Sequence, residues 1–395
     1  MIPFHPRYLE SAVKNDLKEK MVFVGGPRQV GKSSLAVRIA ESYSAHESFT
    51  WDDAQDRKTV RENRYAPESR CLVFDELHKW SGWQNHLKGL YDKDQNRFHI
   101  LVTGSARLDV YRRGGDSLLG RYHYHRLHPL SVVEVLTGNA PPPLPIPFEE
   151  LRFPQLSGAE DAVGALLKFG GFPEPFFRQD EKVLRRWHVA RMERLISQDI
   201  RDTEFLRDLS KLEQLADLLP GKVGSLFSIN SVREDLEVTH KTVSHWVDVL
   251  ERFYVHFRIR PFHGKAIHSL RKEPKLYLWD WSQASDEGAR MENLVASHLL
   301  KFVHRLHDSE GHRADLHFLR DRAGRETDFL VTVDRRPWFA VEVKRTADPS
   351  LKNLSYFGER LSIPFLYQVV FQPTRDTLKD NTRTLSASRF LSALS

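Results

Sequence analysis

Met21-Val-Phe-Val-Gly-Gly-Pro-Arg-Gln-Val-Gly-Lys-Ser-Ser34 is the stretch on which the fold turns. Met21–Val24 is a short apolar run suited to a buried strand. Gly26-Pro27-Arg28-Gln29-Val30-Gly31-Lys32-Ser33 then meets the phosphate-loop spacing in full, and Ser34–Ser42 reads as a helix. The order is physically specific. A glycine-rich turn between strand and helix points backbone N–H groups and a helix N-terminus at one place, which makes an anion site. Gly26 through Ser34 are therefore expected to cradle nucleotide phosphates. Lys32 is expected to reach the β- and γ-phosphates, and the Ser33 hydroxyl to ligate Mg²⁺.

Outward from the loop, Cys71-Leu-Val-Phe-Asp75-Glu76 is an apolar strand ending in two carboxylates. Asp75 is expected beside the Mg²⁺ and Glu76 beside the attacking water, as general base. Either acid alone would be ordinary at a strand end; with the phosphate loop they form the second half of a nucleotide site. A further run, Phe98–Val102, leads into Thr103-Gly104-Ser105. In additional-strand ATPases the strand inserted between the loop strand and the acidic strand carries a polar residue that senses the γ-phosphate. Thr103 or Ser105 suits that role, Thr103 being the first choice. Arg112, Arg113 and Arg121 are candidates for an arginine acting in cis or on a neighbouring copy, with Arg121 preferred.

The chain organises into three regions. Strand-like runs at 21–24, 48–51, 71–74 and 98–102 alternate with helical stretches through about 1–140, which predicts a parallel α/β sheet. Ala140-Pro-Pro-Pro-Leu-Pro-Ile-Pro147 breaks that pattern and reads as a linker or surface crossing. Residues 150–275 are mostly helical, and Ile229–Leu236, His240–Arg252 and Tyr254–Ile259 have the helix, turn, helix, strand outline of a winged helix. Residues 276–395 return to α/β character. A long amphipathic helix is expected over 287–306, strands over 316–319, 328–333, 338–343 and 365–371, and a helix over 353–361. The expected fold class is thus an α/β P-loop ATPase sheet, a helical and winged-helix region, and a small α/β nuclease-like domain.

Pro6-Arg7-Tyr8-Leu9, the phosphate loop, Thr103-Gly-Ser-Ala106, Ser117-Leu-Leu-Gly-Arg121 and Leu127-His-Pro-Leu-Ser131 together resemble a widespread group of prokaryotic AAA-type ATPases. Gly170-Gly-Phe-Pro-Glu174 and Gln198-Asp199-Ile200 match the same group, whose C-terminal domain is of unknown function. The resemblance implies an ATPase that acts on DNA or as a switch.

In the last region Asp328, a hairpin turn at 334–337 and Glu342-Val-Lys344 form an Asp…Glu-x-Lys arrangement. Alternation puts Glu342 and Lys344 on one face, and antiparallel pairing brings Asp328 beside them. With Glu292 on the preceding helix, this order resembles the PD-(D/E)xK nuclease fold, in which carboxylates hold Mg²⁺ and the lysine activates water. Thr327 stands where that motif has proline. The implied metal set is Glu292, Asp328 and Glu342, with Lys344 as catalytic lysine.

The 395 residues carry a formal charge of +6, and Arg252, Arg258, Arg260, Lys265, Arg271, Lys272 and Lys275 concentrate it against a single acid, Glu273. Such a stretch suits phosphate-backbone contact, as do His240, Lys241, Ser244 and His245 on the second helix of the winged-helix candidate. His123, His125 and His128 have no ligand-like spacing, and Trp279 and Trp281 read as core. A lone cysteine, Cys71, and the lack of an apolar run of membrane-spanning length lead to a cytoplasmic expectation. ATP and Mg²⁺ as cofactors, duplex or branched DNA as partner and a homo-oligomer complete it. The competing expectations are a signalling or defence switch whose nuclease-like domain recognises a protein, and a nuclease whose cutting ATP gates.

Overall fold

The structure, a computed structural model, describes residues 5–105, 118–138, 143–201, 208–263 and 273–394. Arg112, Arg113, Lys265, Arg271 and Lys272 lie outside the described residues. Two compact units divide the chain: residues up to His128 with Arg252–Tyr254, and Pro129–Glu251 with Val255 onward.

The first unit is built on five parallel strands, β1 (Met21–Gly25), β2 (His46–Thr50), β3 (Cys71–Asp75), β4 (His99–Gly104) and β5 (Tyr122–Arg126), in the order β2-β3-β4-β1-β5. Each expected run became a strand within a few residues. β1 is buried along its whole length and β3 all but its last residue, which is why both read as unbroken apolar runs. β4 lies between β1 and β3, as the additional-strand pattern requires. β5 was not anticipated: Tyr-His-Tyr-His-Arg has no aliphatic residue, yet it pairs along all of β1 and seals that edge.

The second unit carries an eight-stranded sheet of β6 (His256–Pro261), β7 (Lys275–Leu278), β8 (Ala314–Arg320), β9 (Glu326–Val333), β10 (Arg336–Lys344), β11 (Phe365–Val370), β12 (Thr377–Lys379) and β13 (Thr382–Ser386). Its order is β12-β13-β11-β10-β9-β8-β6-β7. The helix Glu287–Glu310 precedes β8, capped by the Asp286 carboxylate at its start and by Gly311 in the left-handed region at its end. β8, β9 and β10 form an antiparallel meander. Between β9 and β10, Asp334 and Arg335 both have positive φ, the requirement of a tight two-residue hairpin. The helix Lys352–Leu361 then crosses to β11, which runs parallel to β10.

The helices Ile229–Leu236 and His240–Arg252 form as expected. The supposed wing does not stand alone: β6 is hydrogen-bonded to β7 and β8 and belongs to the large sheet. A boundary at 275–276 would cut into β7 of that sheet. Trp279 and Trp281 are buried, in line with their reading as core. Gly170 has φ 74°, and a Cβ there would come within 2.8 Å of Asp280 Oδ1, so the glycine lets the backbone approach a buried carboxylate.

Candidate functional site

The phosphate loop follows β1 and opens the helix Lys32–Ala40. Gln29 and Gly31 have positive φ, which curls successive N–H groups into a concave turn. A Cβ on Gly26 would come within 2.5 Å of Leu127 O, so only glycine fits where the loop passes the segment after β5. Lys32 Nζ donates to Gly26 O at 3.0 Å and Pro27 O at 2.8 Å, holding its ammonium across the loop. Arg7, buried, braces the loop from outside by donating to Val30 O at 2.5 Å and to His128 O. Tyr8 OH donates to Arg126 O at 2.5 Å. The opening Arg7-Tyr8 pair thus ties the loop to the end of β5, a role its sequence did not disclose.

Asp75 closes β3 and accepts two hydroxyls: Ser33 Oγ at 2.7 Å on Oδ2 and Thr103 Oγ1 at 2.5 Å on Oδ1. Ser33, Asp75 and Thr103 are therefore one connected group. The two hydroxyls orient the carboxylate without neutralising it. Glu76, in the left-handed region at φ 55°, accepts Ser105 Oγ at 2.9 Å and lies 3.4 Å from His78 Nε2, both on Oε2. Ser105 and the buried His78 were not anticipated as partners of Glu76; Ser105 sits one residue past β4, where the sheet order brings it near, and His78 three residues past β3, in the turn that follows Glu76. Thr103 is fully buried, so its hydroxyl acts through Asp75.

Arg121 falls elsewhere. Met21, which begins β1, donates its N–H to Arg121 O, and Tyr122 pairs with Met21 in register. Arg121 is therefore at the edge of the sheet opposite the loop, about 13 Å away along β1 at ~3.3 Å per residue. Its guanidinium grips Asp92 at 2.7 and 3.1 Å. That placement overturns Arg121 as an arginine acting in cis.

In the second unit the hairpin brings Asp328 beside β10 as expected: its Oδ2 accepts the Val343 N–H at 2.8 Å. Glu342 and Lys344 share a face and pair at 2.8 Å. The feature missed from sequence is Lys275. Its buried ammonium sits 3.1 Å from Glu292 Oε1, 2.7 Å from Glu326 Oε1 and 3.8 Å from Asp328 Oδ1. Tyr277, two residues along β7 and so on the same face, donates its hydroxyl to Glu292 Oε1 at 2.6 Å. Burial and the neighbouring Asp328 carboxylate push Glu292 up to about 7. Burial would lower Lys275, but Glu292, Asp328 and Glu326 hold it above the ordinary lysine value. The implied metal set does not converge: among the described residues no three His, Cys, Asp or Glu side chains are placed to hold a metal ion.

Two residues of the basic stretch are spent internally. Arg258 pairs with Glu251 and, at 2.8 Å, with Asp248, and Lys275 is buried among carboxylates, so neither offers charge to a phosphate backbone. Arg260 stays exposed, as do His240, Lys241 and His245; Ser244 is half-buried. His125 Nε2 meets Asp16 Oδ2 at 2.7 Å. Among the described residues no helix is long and apolar enough to cross a membrane.

Residues 18–136 match a family model described as an AAA domain, and 161–285 and 287–390 match two models described as domains of unknown function. An uncharacterized protein of Methanocaldococcus jannaschii is 25% identical over 301 residues, covering 68% of this chain and 62% of that protein. A second from the same organism is 23% identical over 244 residues, covering 58% and 52%. The chain thus spans roughly half to three fifths of the length of these relatives. Among solved structures, a Walker-type ATPase of Pyrococcus abyssi aligns with TM-score 0.42 at 11% identity, over 72% of this chain and 98% of that one. RuvB of Thermotoga maritima aligns with TM-score 0.31 at 14% identity, over 63% and 88%. The loop geometry, the strand order and the AAA match agree on an AAA-type P-loop domain over the first part of the chain.

Proposed function

We propose that this chain is a magnesium-dependent ATPase that couples hydrolysis to the handling of DNA. The observation that carries the ATPase chemistry is the convergence of Lys32, Ser33, Asp75 and Glu76 at the loop end of the parallel sheet, with Thr103 and Ser105 aiming the two carboxylates. Ser33 and Asp75 fit Mg²⁺, since both offer oxygen and the groups hydrogen-bonded to Asp75 are the neutral hydroxyls of Ser33 and Thr103. When bound, Mg²⁺ would supply charge neutralisation for the phosphoryl oxygens. The chain's own groups do the rest. Loop N–H groups and Lys32 bind and orient the phosphates, Asp75 is held to Ser33, and Glu76 takes the proton of the attacking water while Ser105 keeps its carboxylate in one plane. An assembly of several copies suits Arg121, which from the far sheet edge could only serve a site on another molecule.

DNA as the partner is supported by the +6 charge and by the exposed His240, Lys241 and His245 on a helix-turn-helix pair. Lys275 among the C-terminal carboxylates favours a second reading, a partner-sensing switch with a nuclease-like domain that does not cut. ATPase rates with no DNA, duplex, single strand and a four-way junction, beside Lys32→Ala, separate the two. Stimulation by one DNA form, lost in Lys32→Ala, supports DNA handling and names its substrate. A rate that no DNA moves eliminates it and leaves the switch.

A further inference from the structure

The second unit holds three carboxylates, Glu292, Glu326 and Asp328, within 4 Å of one buried ammonium. Three negative charges in so small a space are unfavourable without a cation. The nuclease resemblance supplies that cation as Mg²⁺, but the residues do not fit the ion. A divalent cation binds carboxylate oxygen at about 2.0–2.6 Å, and Lys275 already lies between the same oxygens. Its own +1 charge would meet the incoming +2 at close range in a poorly solvated place. Of the other groups facing the cluster, Tyr277 OH donates to Glu292, Arg320 to Glu326 at 2.5 Å and the Val343 N–H to Asp328, while the Glu342 carboxylate near Asp328 is itself paired with Lys344 at 2.8 Å.

We propose that Lys275 is a built-in cation that closes the Glu292–Glu326–Asp328 cluster to divalent metal, so that an ammonium on β7 does the charge-balancing that a nuclease-like site leaves to Mg²⁺. The position of Lys275 is fixed by backbone as well as charge. β7 is the end strand of the sheet, paired with β6 on one side, and Val223 and Leu226 bridge to Leu276 and Lys275. Gly224 makes room beside the cluster: it has φ 72°, and a Cβ there would lie 3.3 Å from Glu292 Oε2. The cluster is accordingly assembled around the lysine, with the Arg320 guanidinium as a further cation on the outer oxygen of Glu326.

This inference deepens the second reading above, and its test is read on metal binding with no nucleotide present, so it fails separately from the ATPase proposal. Mn²⁺ binding to the full chain is measured by electron paramagnetic resonance in the Lys32→Ala background, which removes the phosphate-loop lysine. The chain with Lys275 intact should take up no Mn²⁺ that Asp328→Asn abolishes. Lys275→Met, close in length but neutral, should gain one bound Mn²⁺ per chain, and adding Asp328→Asn should remove it. Lys275→Arg, which keeps the charge, should gain none. Asp328-dependent Mn²⁺ uptake with Lys275 in place overturns the proposal, and so does a folded Lys275→Met chain that binds no additional ion. Should Lys275→Met not fold, the comparison of Lys275-intact chains with and without Asp328→Asn decides alone.

Discussion

Glu76→Gln is the substitution that most directly tests the hydrolytic chemistry. Glutamine keeps the volume and one oxygen of glutamate, so Ser105 Oγ retains an acceptor where it now donates at 2.9 Å, and His78 keeps a neighbour at 3.4 Å. What is lost is the ability to take a proton. General-base catalysis contributes about 10²–10⁴ in rate, which at about 1.36 kcal/mol per decade is about 2.7–5.4 kcal/mol of barrier. Nucleotide affinity should stay within about threefold, because Lys32 and the loop N–H groups are untouched and the lost interaction belongs to the transition state.

Single-turnover hydrolysis at saturating ATP, beside the affinity of a fluorescent ATP analogue, reads both quantities. Ser105→Ala provides a graded companion. It leaves the base but removes a hydrogen bond to a charged group, worth about 1.5–3 kcal/mol, and should slow hydrolysis roughly tenfold or more, still less than Glu76→Gln does. A Glu76→Gln chain that hydrolyses within about fivefold of the parent rate would refute Glu76 as general base. Loss of rate in step with loss of ATP binding would equally refute it, since that pattern belongs to a damaged loop.

Two further outcomes concern the second unit. Lys301 Nζ donates to Glu134, to Ser131 Oγ at 2.9 Å and to Pro129 O at 3.3 Å, all buried; Glu134→Gln leaves the ammonium without that carboxylate and should cost about 3–5 kcal/mol, read as a shift in urea midpoint, a change under about 1 kcal/mol contradicting it. Burial would raise Asp280, but the His188 contact at 3.1 Å, the charge of Arg191 and the Ser282 hydroxyl bring it down from 3.8 to about 2. Because the folded value lies below the unfolded one, this stabilisation is present above about pH 4 and lost as pH falls toward 2; Asp280→Asn should flatten the acid limb of a stability profile over that interval, and an unchanged slope would contradict it.

The phosphate loop was legible because its residues are adjacent in sequence and their spacing follows a fixed pattern. β1, β3 and β4 were legible because they are buried almost throughout and therefore mainly apolar, whereas β2 shows only Phe49 buried among polar residues. β5 was not, since Tyr-His-Tyr-His-Arg is a polar, aromatic edge strand whose identity comes from pairing with β1. The same blindness misplaced Arg121: which end of a sheet a residue occupies depends on where its strand begins, and here Tyr122 pairs with the first residue of β1. Two residues of the basic stretch were misjudged for a related reason. Charge was counted along the chain, whereas Arg258 pairs with Glu251 and Asp248 of the preceding helix and Lys275 meets acids distant in sequence. In the helix-turn-helix region both helices were visible from periodicity, but the partner of β6 is tertiary information that no local pattern holds.

The two carboxylate groups of this chain show what distinguishes a site ready for a metal from one closed to it. Asp75 is oriented by neutral hydroxyls, Ser33 and Thr103, which fix its direction and leave its charge in place for a cation. Asp328, Glu326 and Glu292 are oriented by a charged ammonium, which fixes their direction and cancels part of their charge at once. The acid-bearing motifs in sequence are equally suggestive in both places; the partners separate them. A hydroxyl partner can stay when a metal arrives, as a further oxygen ligand or as a donor to the second carboxylate oxygen. An ammonium partner has to leave, and in this fold it is carried on a strand tied into an eight-stranded sheet. That difference in partner chemistry is why the first acidic pair is assigned to catalysis and the second cluster is assigned to holding the domain together.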